Sequence, residues 1–153
     1  MKQLNNKPEV VVIAGASAGV GRAIAWAFAR RGAHIGLLAR GREGLEGARR
    51  DVEEMGGQAI TIPTDVADAE QVEAAAAKVE ETFGPIDIWV HVAMVSVFSQ
   101  AIDMTPAEFK RVTDVTYLGQ VYGNPGLLAL AGAGIAGASV AGLLMNALFR
   151  KRR

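Results

Sequence analysis

Short, wholly apolar runs and longer amphipathic stretches take turns along most of this chain. Residues 10–14, Val-Val-Val-Ile-Ala, are continuously apolar and rich in β-branched side chains, the pattern of a strand buried on both faces. A glycine-rich loop, 15–21, follows. Residues 22–31 then place apolar side chains at Ile24, Ala27 and Phe28, a helical spacing, with Gly32 as the stop. The unit repeats as strand 35–39, a charged helix 42–55 ended by Gly56-Gly57, and strand 59–62. An alanine-rich helix 69–83 has Asp68 as its N-cap and Gly84-Pro85 behind it, and strand 86–93 comes next. After a loop to Met104, Thr105-Pro106-Ala107-Glu108 reads as a capping box with proline at the first helical position, opening a helix to about residue 123.

Strands that alternate with helices pair in parallel through right-handed crossovers. The expected fold is therefore α/β, an incomplete doubly wound (Rossmann-type) parallel sheet of about four strands. Asn124-Pro125-Gly126 breaks the pattern, and no strand signal follows residue 123. Residues 127–149 form an uncharged, largely apolar run of 23, closed by the basic 150–153. A bilayer-spanning helix needs about 20 such residues, so this run reads as a C-terminal apolar, transmembrane helix. The expected organisation is a polar tail (1–8), an α/β half-domain (9–123), a break (124–126), the apolar helix (127–149) and a basic tail (150–153).

Composition narrows the chemistry. The chain has 153 residues, no cysteine and two histidines. That excludes a disulfide framework and thiolate ligands, and with His34 and His91 far apart no metal site is expected. A net charge of zero gives no reason to expect nucleic acid as a partner. The balance hides an asymmetry, because residues 1–149 carry 12 positive and 16 negative side chains and residues 115–149 carry none. Within the apolar run Gly134, Ala138 and Gly142 put small residues on one helix face, which allows close approach of a second copy in a bilayer. The polar start lacks the apolar core of a signal peptide, so the expectation is a membrane-associated protein whose α/β domain is cytoplasmic. The four terminal cations oppose a simple crossing under the positive-inside tendency; a helix lying in the interface, arginines on anionic headgroups, is the alternative.

The glycine loop carries the strongest chemical signal. Strand 10–14 runs directly into Gly15-Ala16-Ser17-Ala18-Gly19-Val20-Gly21 and then a helix. Glycines there let the backbone turn tightly and approach a pyrophosphate, and the helix N-terminus offers free N–H groups to its charge. The end of strand two reads Leu38-Ala39-Arg40-Gly41-Arg42, with no acid to bind ribose hydroxyls. Arg40 is suited instead to an extra 2′-phosphate, with Ser17 adding a hydroxyl donor, which predicts NADP(H) over NAD(H). The plainer reading of Arg40 is a solvated arginine at a helix start, where its charge opposes the dipole.

The segment Ala14 to Gly21 resembles the TGxxxGxG loop of the short-chain dehydrogenase/reductase family, with Ala14 in place of the usual threonine. Further landmarks agree in order and spacing over about residues 9–123. Thr64-Asp65-Val66 is similar to the motif after the third strand, Trp89 to Met94 occupies the place of the NNAG motif, and Asp114 to Gly119 resembles the following helix. The resemblance implies a nicotinamide dinucleotide held by Gly15, Ser17, Ala18, Gly19, Val20 and Gly21 at the pyrophosphate and ribose. It further implies Asp65 and Val66 at the adenine and Ala93 beside the nicotinamide.

Three departures qualify that implication. The NNAG motif has become His91-Val92-Ala93-Met94, in which His91 reads either as a buried core histidine or as a substrate or ribose contact. The helix asparagine of the family's catalytic tetrad has become Thr116. Most consequential, the family's proton-transferring tyrosine has a lysine four residues on, whereas Tyr117 and Tyr122 are followed there by Val121 and Gly126. No catalytic residue is assigned. The expectation is an NADP-binding relative of oxidoreductases, an internal deletion having joined its cofactor half to an anchor, with little or no turnover alone. Strand four would be left as an open edge. A non-catalytic, membrane-tethered nucleotide-binding or assembly module, self-associating through that edge or the small-residue face, is the second reading. If 127–149 spans a bilayer, alkaline carbonate extraction will leave the protein in the membrane pellet; release into the supernatant excludes the span.

Overall fold

The computed structural model describes residues 7–124. Four parallel strands, β1 (Val10–Ala14), β2 (His34–Ala39), β3 (Gln58–Pro63) and β4 (Ile88–His91), lie in the order β3-β2-β1-β4. The connecting helices are α1 (Gly19–Ala29), α2 (Arg42–Glu54) and α3 (Ala69–Phe83). Beyond β4 a 3₁₀ turn (Ala101–Asp103) precedes α4 (Pro106–Val112). That helix loosens into a π-helical stretch (Thr113–Leu118) and ends as the short α5 (Gly119–Tyr122).

Every residue of β1 is fully buried, as a strand flanked by β2 and β4 and covered on both faces must be. Alternation sorts its side chains into two cores. Val11 and Ile13 pack with Ala25 and Ala29 of α1 and Leu45, Ala48 and Val52 of α2. Val10, Val12 and Ala14 pack with Val72, Ala75 and Val79 of α3 and with Val115. Each fully buried valine or isoleucine contributes about 1.5–3 kcal/mol, so the two-sided β1 anchors the fold.

Sequence pattern and structure part company at three boundaries. Helix α1 starts at Gly19 rather than residue 22, because the last glycines of the loop form its first turn. Glycine is a poor helix former in an interior, but a first turn needs small residues wherever it must press against a strand end. β4 is confined to Ile88–His91, with Asp87 and Val92 adding one ladder bond each to Val10 and Ala14 before the chain turns away. The capping box at Thr105 and Glu108 forms as expected, whereas the π-helical stretch carries no local signature. β4 is the last strand on its side of the sheet among the described residues. Among those residues no helix is long and apolar enough to cross a membrane; the expected span 127–149, its small-residue face and the basic tail lie outside them.

Helices α1 and α2 are tied by a part-buried cluster. Asp51 accepts from Arg22 Nε at 2.7 Å and from Trp26 Nε1 at 2.8 Å. Arg22 stands in the first turn of α1, where a cation opposes the helix dipole, and the Asp51 carboxylate neutralises it. The Arg22 bond, then that from Trp26, holds the Asp51 pKa below its ordinary 3.8. A carboxylate lowered on folding adds stability above its unfolded pKa and loses it as pH falls through the folded value. The urea-midpoint gap between the wild type and Asp51→Asn should therefore be widest near neutrality, begin to narrow below about pH 5 and close as pH falls through the lowered folded value. A gap independent of pH would show that Asp51 acts by packing alone.

Candidate functional site

The loops that leave the carboxyl ends of the strands enclose a cavity of about 320 Å³. Its walls are Gly15 and Ser17 after β1, Ala39 to Gly41 after β2, Thr64 to Val66 after β3 and Val92 to Val95 after β4, with Arg111 and Val115 on the α4 side. From β1 the chain winds outward through β2 and β3, then returns to place β4 on the other flank. The loops after β1 and β4 therefore part, and open α/β sheets bind ligands at such a switch point.

Gly15 sets the turn. Its φ of +94° is a left-handed value, and its N–H and that of Ala16 both donate to the Leu38 carbonyl, at 2.8 and 3.1 Å. A Cβ at Gly15 would lie 2.8 Å from the Ala93 nitrogen, so only hydrogen fits where the β1 and β4 exits touch. Gly21 supplies the second close approach, since a Cβ there would fall 2.1 Å from the Gly15 carbonyl oxygen. The first turn of α1 is thus stacked directly on the loop.

That helix start has no cap of its own. Ala18 is the extended N-cap residue, makes no side-chain bond to the turn, and no acidic residue follows in the first turn. The N–H groups of Gly19, Val20 and Gly21, at the first three helical positions, have no acceptor within the helix. By contrast, α3 is capped by Asp68 on the Gln71 N–H, and α4 by its capping box. The positive end of α1 therefore has neither a side-chain cap nor a first-turn acid, whereas α2, also uncapped, carries Glu43 in its first turn. Arg40 lines the same cavity, is exposed, and has no ion-pair or hydrogen-bond partner among the described residues.

Of the residues picked from the sequence, Gly15, Ser17, Arg40, Asp65, Val66 and Ala93 line the cavity. Ala18, Gly19 and Val20 are exposed at the start of α1, and Gly21 is buried behind Gly15; these four shape the turn without forming the cavity wall. The Asp65 carboxylate is already engaged. Its Oδ2 lies 2.9 Å from Arg111 Nη1, while Oδ1 accepts from Arg111 Nη2 and from the Ala67 N–H, each at 3.1 Å. Arg111 escaped the sequence reading because the pair spans 46 residues. One signal was available: Arg111 and Val115, four apart in a helix whose start the capping box fixes, share a face.

His91 does not line the cavity. Its Nε2 lies 3.1 Å from the Ala93 carbonyl, and its Nδ1 is buried without a partner at hydrogen-bonding geometry. Burial lowers its pKa, partly offset by the Ala93 and Val115 carbonyls, which fits a neutral histidine bracing the turn after β4. Thr116 stands where the resembled family has asparagine, and its hydroxyl accepts from the Val95 N–H and donates to the Val95 carbonyl, both at 3.2 Å. It replaces an amide with a two-way clamp on the cavity wall. Among the described residues no group of histidine, aspartate and glutamate side chains is placed to hold a metal ion.

Comparison with known proteins agrees with this geometry. The sequence model of the family described as short chain dehydrogenase matches residues 9–145, so the match continues past the break at 124–126, where the sequence pattern alone suggested it would stop. The uncharacterized oxidoreductase YxnA of Bacillus subtilis is 37% identical over 135 residues, covering 88% of this chain and 38% of that protein. The glycine betaine reductase ATRR of Emericella nidulans is 39% identical over 111 residues, 72% of this chain and 9% of its own length. Among solved structures, L-sorbose reductase of Gluconobacter frateurii, complexed with NADPH and L-sorbose, superposes with a TM-score of 0.72 at 32% identity over 76% of this chain and 45% of that one. The alcohol dehydrogenase of the archaeon Thermococcus sibiricus, complexed with 5-hydroxy-NADP, gives 0.73 at 36% identity over 76% and 50%. The chain thus spans half or less of each of these proteins.

The glycine geometry yields a sharp contrast. Gly21→Ala forces a methyl against the Gly15 carbonyl and should cost roughly 2–3 kcal/mol in urea denaturation. Gly41→Ala, with open space around it and a φ of −86°, should change stability by less than about 0.5 kcal/mol. Equal effects at the two sites would mean the loop relaxes freely.

Proposed function

The chain belongs to the short chain dehydrogenase family, and on that premise we propose that its α/β unit binds NADP(H), in preference to NAD(H), as the cofactor half of an oxidoreductase. One observation carries this reading. The uncapped positive end of α1 follows directly from the loop whose Gly15 and Ser17 line the cavity, and the unpaired Arg40 guanidinium lines that cavity too, two cationic features suited to a dinucleotide with separated phosphates. The NADPH and 5-hydroxy-NADP bound by two similar structures support it.

In this reading the N–H groups of Gly19, Val20 and Gly21 hold the pyrophosphate, with Gly15 and Ala18 keeping the backbone bare. Arg40 pairs with the 2′-phosphate and Ser17 adds its hydroxyl. Asp65 accepts from the adenine amino group beside Val66, and Ala93 borders the nicotinamide. When bound, the dinucleotide supplies or accepts the hydride. The protein's part is binding and orientation, together with a proton at the substrate oxygen. For that last task the described residues offer no tyrosine with a lysine four positions on; Tyr117 is exposed on the π-helical stretch and Tyr122 packs into the α3-side core. We therefore propose that this chain alone binds its cofactor without sustained turnover.

Titration with NADPH and then NADH, exciting Trp26 and Trp89 and following energy transfer to the nicotinamide, tests the proposal. NADPH should bind at least about tenfold more tightly, and Arg40→Ala should remove most of that difference while leaving NADH binding nearly unchanged. No transfer from a folded protein would sink the assignment, and steady reduction of carbonyl substrates would overturn the claim of missing turnover.

A further inference from the structure

Arg111 and Asp65 form a two-bond fork inside the cavity, each side chain about one-third exposed (36% and 31%), and neither the sequence motifs nor the cofactor assignment required an arginine there. A carboxylate oxygen has two lone pairs in its plane. Oδ1 uses both, on Arg111 Nη2 and the Ala67 N–H; Oδ2 uses one, on Arg111 Nη1. The Asp65 N–H donates to Gln71 Oε1 at 3.0 Å, and Gln71 Nε2 is in turn held by Asp68, so the backbone beneath the carboxylate is fixed as well. A single open acceptor position is left, on Oδ2 of a residue that lines the cavity next to Val66.

We infer that Arg111 is a specificity-determining positioning residue: by locking Asp65 it leaves one acceptor that selects a base edge bearing an amino donor over one bearing a carbonyl. The inference rests on the dinucleotide reading above and names the group that enforces its base specificity. Two physical consequences follow from the fork. A freely rotating carboxylate can turn away or recruit water in front of a carbonyl edge, whereas a forked one presents a fixed acceptor that repels it. The guanidinium also cancels the Asp65 charge, which would otherwise oppose an anionic ligand. The π-helical stretch that starts two residues after Arg111 lets the same helix hold the opposite wall through Thr116 and Val95. The acceptor is thereby registered against the rest of the cavity.

The test uses the full chain and two probes, NADPH and its reduced hypoxanthine analogue, which carries a carbonyl in place of the adenine amino group. Affinities are read by tryptophan-to-nicotinamide energy transfer, and folding by far-UV circular dichroism. The wild type should favour NADPH by about tenfold or more, the scale of one well-made hydrogen bond against an unpaired group. Arg111→Met should bring that ratio below about threefold, and Arg111→Lys, which keeps the charge but not the fork, should recover total affinity more than discrimination. If Arg111→Met does not fold, Arg111→Lys and Arg111→Gln carry the comparison. An unchanged ratio in a folded variant would assign Arg111 a merely structural tie and overturn the inference. A wild type that binds both probes equally would overturn it while leaving dinucleotide binding in place. Failure of the wild type to bind either probe removes the cofactor reading and the Arg111 assignment with it.

Discussion

The Leu38 carbonyl, accepting from both Gly15 and Ala16, is the bond on which the arrangement of the cavity depends. It ends β1 at a defined residue, ties the turn to the neighbouring strand, and holds Gly15 in a left-handed conformation no other residue adopts cheaply. From that fixed turn α1 takes its origin, with Gly21 stacked on the Gly15 carbonyl, and the exit of β4 is pressed against Gly15 at Ala93. The two-sided burial of β1 keeps this pivot in place, since shifting it would drag five fully buried residues through two packed cores. Precision at the site is thus borrowed from the most completely buried strand of the sheet.

Charge is distributed around this frame with a clear division of labour. Arg22 is satisfied by Asp51, and Arg111 by Asp65. Arg40 has no such partner among the described residues, nor has the start of α1 a cap. An arginine left unpaired beside a cavity is unremarkable by itself, and so is a helix without a capping side chain. Among the described residues other helix starts and arginines also lack partners, as Gly41 at the start of α2 and Arg42 do; what sets Arg40 apart is that it lines the crevice whose loop leads into the uncapped start of α1.

Much of the fold was legible because its determinants are local. The apolar runs located all four strands, and helix 69–83 was bounded correctly by Asp68 and Gly84, residues whose chemistry forces a start and a stop. The capping box at Thr105 likewise needs only four residues to be recognised. What escaped depends on distance along the chain. The Arg111–Asp65 fork joins positions brought together only after β4 has taken its place. The π-helical stretch reflects tertiary fitting of Val115 and Thr116 rather than any propensity in Thr113–Leu118. The glycine loop was read as a turn between β1 and α1, but its last glycines belong to the helix, because helical periodicity is invisible in residues that lack side chains. Of the ten positions picked for the cofactor, the six on the cavity wall are those with a side chain or turn facing it, and four serve the backbone beneath.

The strand order has a consequence for how the domain comes into being. The β1–β2 and β2–β3 pairings join strands one unit apart in sequence, whereas β4 must find β1 across the whole length of the intervening units, with Val10 and Asp87 meeting 77 residues apart. Because ribosomal synthesis delivers segments in order, a three-stranded sheet with a formed glycine turn can assemble first, and the slow, entropically costly closure falls to β4. Until it docks, the crevice has only one wall. A crevice walled on one side by Val92 to Val95 is therefore complete only once β4 has docked, and occupancy of it would report on that docking.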